Sequence, residues 1–153
     1  MAGLRKIIIF SSTVSIYSCA SIASYQMTKP IANAKMQSEF VSNMELFYYT
    51  LGDKNNPPLV FLHGILAFTE AYKRFLTSLS DQFFIIGIDL PGHGRSSLPS
   101  INYDLNDMTN DVIKLTEKLN LDSFYLVGHS MGGLLTLGIC EKYPDKIRKA
   151  VSI

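Results

Sequence analysis

Cysteine is scarce in this chain of 153 residues, which contains only Cys19 and Cys140. Cys19 lies in an apolar N-terminal leader, so the two residues do not indicate a structural disulfide. No cysteine and histidine cluster has the spacing of metal ligands, and we expect neither a metal nor a cofactor. The formal net charge is only +1, which gives no indication of a nucleic-acid partner or a strongly acidic one.

Internal repeats and low-complexity segments are also missing, as is the glycine pattern of a dinucleotide-binding turn. Such a turn needs Gly-x-Gly-x-x-Gly between a strand and a helix. Residues 92–97 read Gly-His-Gly-Arg-Ser-Ser and lack the third glycine. The composition, 47% hydrophobic and 18% charged, fits one globular domain of α/β type.

The first 23 residues differ from the rest of the chain. Arg5 and Lys6 precede an apolar, serine-containing stretch that ends in small residues, which predicts a signal peptide over residues 1–23. An uncleaved N-terminal anchor is the alternative, although the stretch is short and polar for a membrane-spanning helix. We therefore expect a protein that is exported, periplasmic or secreted, or held at the membrane by this segment. Residues 24–38 are predicted to be a linker.

Apolar runs alternate with helical periodicity along residues 39–153. Continuous apolar strands separated by amphipathic helices predict a mostly parallel sheet with helices on both faces. Open sheets of this kind bind ligands at the carboxyl ends of their strands. The predicted strands cover residues 40–51 (with a turn at 42–43), 59–62, 83–89, 124–127 and 149–153, and the predicted helices 70–79, 104–119 and 132–143.

Residues 128–132 read Gly-His-Ser-Met-Gly and directly follow the predicted strand 124–127. A serine in a tight turn from strand to helix is held in a strained backbone with its hydroxyl exposed, which makes Ser130 the candidate nucleophile. The neighbouring glycines permit the close approach of the two backbones. The side chain of His129, next to the serine, is expected to point away from its hydroxyl and to line the binding site.

A second motif follows the predicted strand 59–62, which ends in His63 and Gly64. A loop at this point can direct backbone N–H groups at the oxyanion that forms during acyl transfer. The candidate donors are the N–H of Ile65, with Leu66 as the substitute, and the N–H of Met131. His63 either contributes to binding beside Gly64 and Leu66 or braces the loop, and the bracing role is favoured over proton transfer.

A third glycine-containing turn follows the strand 83–89 and runs from Asp89 to Ser96. Its glycines permit a turn with positive φ, and Asp89 and Arg95 are expected to hold the loop by hydrogen bonds. We expect a structural role for this segment, and His93 is not favoured as a catalytic group.

Together, the three segments resemble the α/β-hydrolase superfamily in their order and spacing. The resemblance covers residues 39–153. It implies an eight-stranded, mostly parallel sheet and a triad in the order Ser, then Asp or Glu, then His, of which only the serine is matched here, by Ser130. The serine at position 130 also argues against the members with an aspartate nucleophile, such as epoxide hydrolases and dehalogenases. The sequence is thus predicted to form an incomplete α/β-hydrolase fold that ends near the sixth strand.

The functional hypothesis is a serine hydrolase that acts on a small molecule with a carboxylic ester or similar acyl bond, through an acyl-enzyme. In the family, the acid follows the sixth or seventh strand and the histidine follows the eighth. This sequence ends near the sixth strand, at residue 153, so the chain is interpreted as truncated before both groups. The alternative is a non-catalytic remnant, or a binding protein that keeps the hydrolase fold.

Overall fold

A computed structural model describes residues 7–9, 30–99 and 103–153 of the chain. Within these ranges, strands and helices alternate in the predicted rhythm. The strands are β1 (Ile7–Ile9), β2 (Lys35–Val41), β3 (Met44–Leu51), β4 (Pro58–Leu62), β5 (Phe84–Ile88), β6 (Phe124–Gly128) and β7 (Ile147–Ser152). The helices are α1 (Lys73–Leu79), α2 (Leu105–Lys118) and α3 (Met131–Lys142), with short 3-10 helices at Thr69–Tyr72 and Pro144–Lys146.

The strands form a single mixed sheet in the order β1-β7-β6-β4-β5-β3-β2. Strands β4 to β7 pair in parallel, whereas β3 is antiparallel to both β5 and β2. This arrangement confirms the mostly parallel α/β-hydrolase sheet, with β7 as its sixth strand when the count begins at β2. Because β4 and β6 are neighbours at the centre, the loops that follow them meet at one edge of the sheet.

Helices cover both faces of the sheet, as predicted. Along β4, Val60 and Leu62 pack with residues of α2 and α3, while Leu59 and Phe61 pack with Leu76 of α1. This alternation is the two-residue period of a strand that is buried on both sides. The central strands are therefore rigidly held, and they fix the positions of the loops at their carboxyl ends.

The hairpin between β2 and β3 turns at Ser42 and Asn43, which both have positive φ as a tight two-residue turn requires. Strand β2 begins at Lys35, so its first four residues come from the stretch that was expected to be a linker (24–38). Their antiparallel ladder with β3 runs as far as the pair Lys35 and Thr50, which explains the earlier start.

Of the predicted signal peptide, only Ile7–Ile9 lies within the described residues, where it pairs in parallel with β7. The other residues of the stretch 1–23 lie outside the described ranges, so the signal peptide, the alternative anchor and export stay predictions. None of the described helices combines the length and the hydropathy of a membrane-spanning segment.

A buried carboxylate joins three separate parts of the fold. Asp111 of α2 accepts hydrogen bonds from Ser42 in the hairpin turn (2.5 Å) and from Tyr103 (2.7 Å), and Lys114 lies 3.4 Å away. Burial and the carboxylate of Asp111 raise the pKa of Tyr103, so this hydroxyl remains a donor. The cluster ties α2 to the outer hairpin of the sheet.

We expect Asp111→Ala to lower the free energy of unfolding by about 3 kcal/mol, because it removes the charged acceptor of two partly buried hydrogen bonds, from Ser42 and Tyr103. Urea unfolding of the variant and the wild type measures the difference. The matched control is Asp145→Ala, which removes an exposed carboxylate and should change little. Equal stability of the two variants would contradict the role assigned to Asp111.

Candidate active site

Ser130 occupies the turn between β6 and α3 in a conformation that few non-glycine residues adopt, with φ 54° and ψ −114°. Its N–H donates to the Ile153 carbonyl oxygen (2.7 Å), and its own carbonyl accepts from Leu134 N–H (3.1 Å). The residue is exposed. The turn thus directs both backbone groups of Ser130 into the fold and leaves its side chain accessible, as a nucleophile elbow requires.

The turn is this tight because glycine occupies the points of closest approach. A Cβ on Gly132 would overlap the Leu62 carbonyl oxygen and lie 2.7 Å from the His63 carbonyl oxygen. A Cβ on Gly128 would overlap the Gly132 carbonyl oxygen. Helix α3 therefore packs directly on the ends of β4 and β6, and the Gly132 N–H donates to the His63 carbonyl at 3.1 Å.

The loop after β4 lies against the nucleophile. A Cβ on Gly64 would stand 3.2 Å from the Ser130 Cβ, so the loop backbone passes beside the serine. Ile65 is the next residue in the loop. Met131 begins α3, and the N–H of a first helical residue has no partner within its helix. The structure therefore brings together Ser130 and the two segments that carry the candidate oxyanion donors, Ile65 and Met131.

The side chains of the other predicted binding residues differ in their surroundings. Leu66 is 89% exposed and has a φ of 58°. His129 turns toward Tyr72, whose hydroxyl lies 2.8 Å from its Nδ1. His63 is 0% exposed, its Nε2 accepts from Leu90 N–H at 3.0 Å, and its Nδ1 donates to the Gly64 carbonyl at 2.8 Å. Both ring nitrogens of His63 are thus occupied, which fits bracing rather than contact with a ligand.

Asp89 organises the loop after β5. Its buried carboxylate accepts from the N–H groups of Thr69 (2.8 Å) and Arg95 (3.1 Å), and its carbonyl accepts from the Ser96 hydroxyl (2.5 Å). A Cβ on Gly94 would overlap this carboxylate, which explains why glycine occupies that position with a φ of 56°. This segment is structural, and His93 bonds the Pro91 carbonyl through Nδ1 at 3.0 Å.

Within residues 30–99 and 103–153, no imidazole is hydrogen-bonded to the Ser130 hydroxyl. His63, His93 and His129 each have another partner. The described residues likewise contain no group of three side chains that could hold a metal ion. In this part of the chain, Ser130 is therefore exposed at the start of α3, and no imidazole is hydrogen-bonded to its hydroxyl.

Tyr72 is the residue of the site that sequence reasoning missed. Its position within the predicted helix 70–79 gave no indication of a role in the site, and its ring packs on Phe61, with centroids 4.8 Å apart. The hydroxyl, however, reaches His129, 57 positions later in the chain. No local pattern signals a hydrogen bond between residues so far apart.

Two glycines of α3 provide a matched pair of substitutions. Gly132→Ala places a methyl group against the backbone of β4, so we expect unfolding free energy to fall by more than about 2 kcal/mol. Gly138→Ala meets only Thr109 Oγ1 at 3.4 Å and should stabilise the helix by up to about 1 kcal/mol. Chemical denaturation tests both variants, and a harmless Gly132→Ala would refute the close approach.

The stability of the fold should depend on pH through His63. Desolvation by burial lowers the pKa of His63 to about 4, although its bond to Gly64 opposes the shift. Below about pH 6.5, the unfolded chain binds a proton on the imidazole of His63. In the folded chain, this imidazole stays neutral until the pH approaches 4. Stabilisation by neutral His63 is therefore present above pH 6.5 and is lost as the pH falls toward 4.

From pH 7 to pH 5, we expect this group to lower the unfolding free energy by about 2 kcal/mol. Urea midpoints at the two pH values measure the change. In His63→Gln, whose amide oxygen can still accept from Leu90 N–H, that part of the pH dependence should disappear. An identical loss of stability in the variant would show that other groups cause it.

Sequence comparisons match residues 57–153 to the family model described as "alpha/beta hydrolase fold". One curated relative is 2-(acetamidomethylene)succinate hydrolase of Mesorhizobium japonicum, 35% identical over 99 residues, which are 65% of this chain and 36% of that protein. Another is (E)-2-((N-methylformamido)methylene)succinate hydrolase of Acinetobacter baylyi, 32% identical over 71% of this chain and 40% of that protein. The chain thus spans about two fifths of the length of these relatives.

Solved structures agree with the sequence comparisons. A bacterial membrane phospholipase A superposes with a TM-score of 0.76 and 27% identity, covering 89% of this chain and 45% of that one. A hydrolase from Pseudomonas aeruginosa gives a TM-score of 0.73 and 25% identity, covering 76% of this chain and 44% of that one. With its sheet order, its serine elbow and these matches, the chain belongs to the α/β-hydrolase family.

Proposed function

We propose that the full-length protein is a serine hydrolase that cleaves a carboxylic ester or a similar acyl bond of a small molecule through an acyl-enzyme. The observation that carries the proposal is the left-handed backbone of Ser130, which leaves an exposed hydroxyl beside Gly64 at the start of α3. A strained non-glycine residue persists only where its surroundings enforce the conformation, and such residues concentrate at functional sites. The two curated relatives described above are themselves named as hydrolases.

In the proposed reaction, the Ser130 Oγ attacks the carbonyl carbon while a base takes its proton. The carbonyl π electrons move to oxygen, and the N–H groups of Ile65 and Met131 stabilise the resulting oxyanion. Collapse of this intermediate breaks the bond to the leaving group, which takes the proton from the protonated base. Water then attacks the acyl-enzyme and gives a proton to the same base. The ester bond to Ser130 Oγ breaks, the carboxylic acid leaves, and the base returns the proton to the serine oxygen.

The base and the acid that orients it lie outside the described residues in this proposal. The resemblance to the family implies that both follow β7, the acid first and the histidine last. The relatives are more than twice as long as the region that they share with this chain, which leaves room for both groups. The three histidines described here are engaged in other contacts, so none of them is assigned as the base.

Several relatives are named as epoxide hydrolases, and these have lower identity to this chain, 27% for the Caenorhabditis elegans protein. The family members with an aspartate nucleophile form an ester on that carboxylate. Serine occupies the corresponding turn here, so an acyl-enzyme on Ser130 is favoured over alkyl-ester chemistry. A binding protein with the hydrolase fold is the other candidate, and the same experiment separates it from an enzyme.

A fluorophosphonate probe should label the full-length protein at Ser130, with loss of fluoride and formation of a phosphonyl ester. Intact-protein and peptide mass spectrometry locates the adduct. Ser130→Ala should abolish labelling, whereas Ser123→Ala should leave it unchanged, because Ser123 lies before β6 and Ser130 follows it. A folded wild-type protein that remains unlabelled at Ser130 would contradict catalysis and favour the binding protein.

A further inference from the structure

We infer that Tyr72 and His129 form a positioning pair, whose hydrogen bond sets the separation between the two oxyanion donors. The inference rests on the proposed serine hydrolase and assigns a role in it to two residues that do not carry the chemistry. The donors lie on different segments: Ile65 on the loop after β4, and Met131 on the elbow after β6. Their spacing has to match one oxygen atom, so a contact that joins the segments affects the chemical step.

On the elbow side, His129 has little freedom. Its N–H donates to the Leu62 carbonyl at 3.0 Å, which fixes its backbone to the end of β4. Its ring lies against the loop, since a Cβ on Gly64 would stand 3.0 Å from the His129 Nδ1. The imidazole therefore fills the space between the elbow and the first residue of the loop.

On the loop side, Tyr72 is equally well held. Its ring centroid lies 4.8 Å from that of Phe61 and 5.6 Å from that of His129. It ends the 3-10 helix that starts at Thr69, and the Thr69 N–H is bound by the buried carboxylate of Asp89. Tyr72 is thus held by ring packing and by the anchored 3-10 helix, at the far end of the loop that begins at Gly64.

The hydrogen bond closes this loop onto the elbow. The loop is already fixed at its start, where His63 bonds Leu90 N–H and the Gly64 carbonyl. The Tyr72 hydroxyl fixes its other end to the His129 Nδ1 at 2.8 Å. Ile65 and Leu66, the two candidate donors of the loop, lie between the fixed points and are themselves exposed. Without the polar contact, the far end of the loop stays bound to Asp89 and packed on Phe61 but loses this hydrogen bond to the elbow.

The test uses Tyr72→Phe in the full-length protein, which keeps the ring on Phe61 and removes only the hydroxyl. With p-nitrophenyl butyrate as the substrate, we expect kcat to fall about 10- to 100-fold, because small displacements at a reacting centre are costly. KM should change less than about twofold, since Tyr72→Phe removes no group that is assigned to substrate binding. The matched control is Tyr143→Phe, which loses a hydroxyl bond to Asn110 at the other end of α3.

A double-mutant cycle separates positioning from general damage. Tyr72→Phe and His129→Phe should each lower kcat, and the double variant should be no worse than the poorer single variant. Thermal unfolding monitors the fold of each variant. Three results would each overturn the inference: a double variant whose fold-loss in kcat is the product of the two single losses, an unchanged kcat in Tyr72→Phe, or a rise in KM alone.

Measurements on the wild type separate a failure of the proposed function from a failure of the positioning role alone. If it is neither labelled at Ser130 nor active on esters, the proposed function falls and the positioning role falls with it. If it is labelled and active while Tyr72→Phe retains the wild-type kcat, only the positioning role is wrong.

Discussion

The positive φ of Ser130, at the junction of the buried strand β6 and helix α3, determines how closely these two elements approach each other. With φ at 54°, the chain turns sharply from β6 into α3, which starts almost in contact with the sheet. That contact is possible only because Gly128 and Gly132 have no side chains. In return, the N–H groups at the start of α3 lie at the carboxyl edge of the sheet, where their partial positive charge can act on an anion.

The exposed loop residues of the site are held in place by buried polar side chains behind them rather than by contacts among themselves. His63 is enclosed, neutral and bonded at both nitrogens, and Asp89 binds two backbone N–H groups of different loops. A buried polar group that is fully paired specifies one geometry, because every alternative leaves it unsatisfied. The exposed aliphatic residues Ile65 and Leu66 can therefore occupy defined positions without packing of their own.

Much of the fold could be predicted from the sequence, because each element has a local signature. The continuous apolar strand predicted at 83–89, the helix predicted at 104–119 and the elbow at Ser130 were all found from neighbouring residues. The linker was predicted to extend to residue 38 because a polar edge strand lacks an apolar pattern. The predicted helix 70–79 begins with a 3-10 turn, which periodicity does not distinguish from an α-helix.

What the sequence could not show are contacts between distant residues. The bond from Tyr72 to His129 and the attachment of Ser42 and Tyr103 to Asp111 depend on how the sheet brings segments together. The role of His63 was left open for the same reason: a histidine after a strand can face a ligand or the interior. Its bonds to Leu90 and Gly64 decide this in favour of the interior.

The bond from Ser130 N–H to the Ile153 carbonyl has a consequence for the synthesis of the protein. Ribosomes make the elbow first, and its partner follows 23 residues later at the end of β7. While the nascent chain is short, the strained turn lacks the acceptor for this N–H, and the neighbouring strand is missing. Ser130 therefore acquires its geometry only after β7 has emerged and docked, when most of the sheet is assembled.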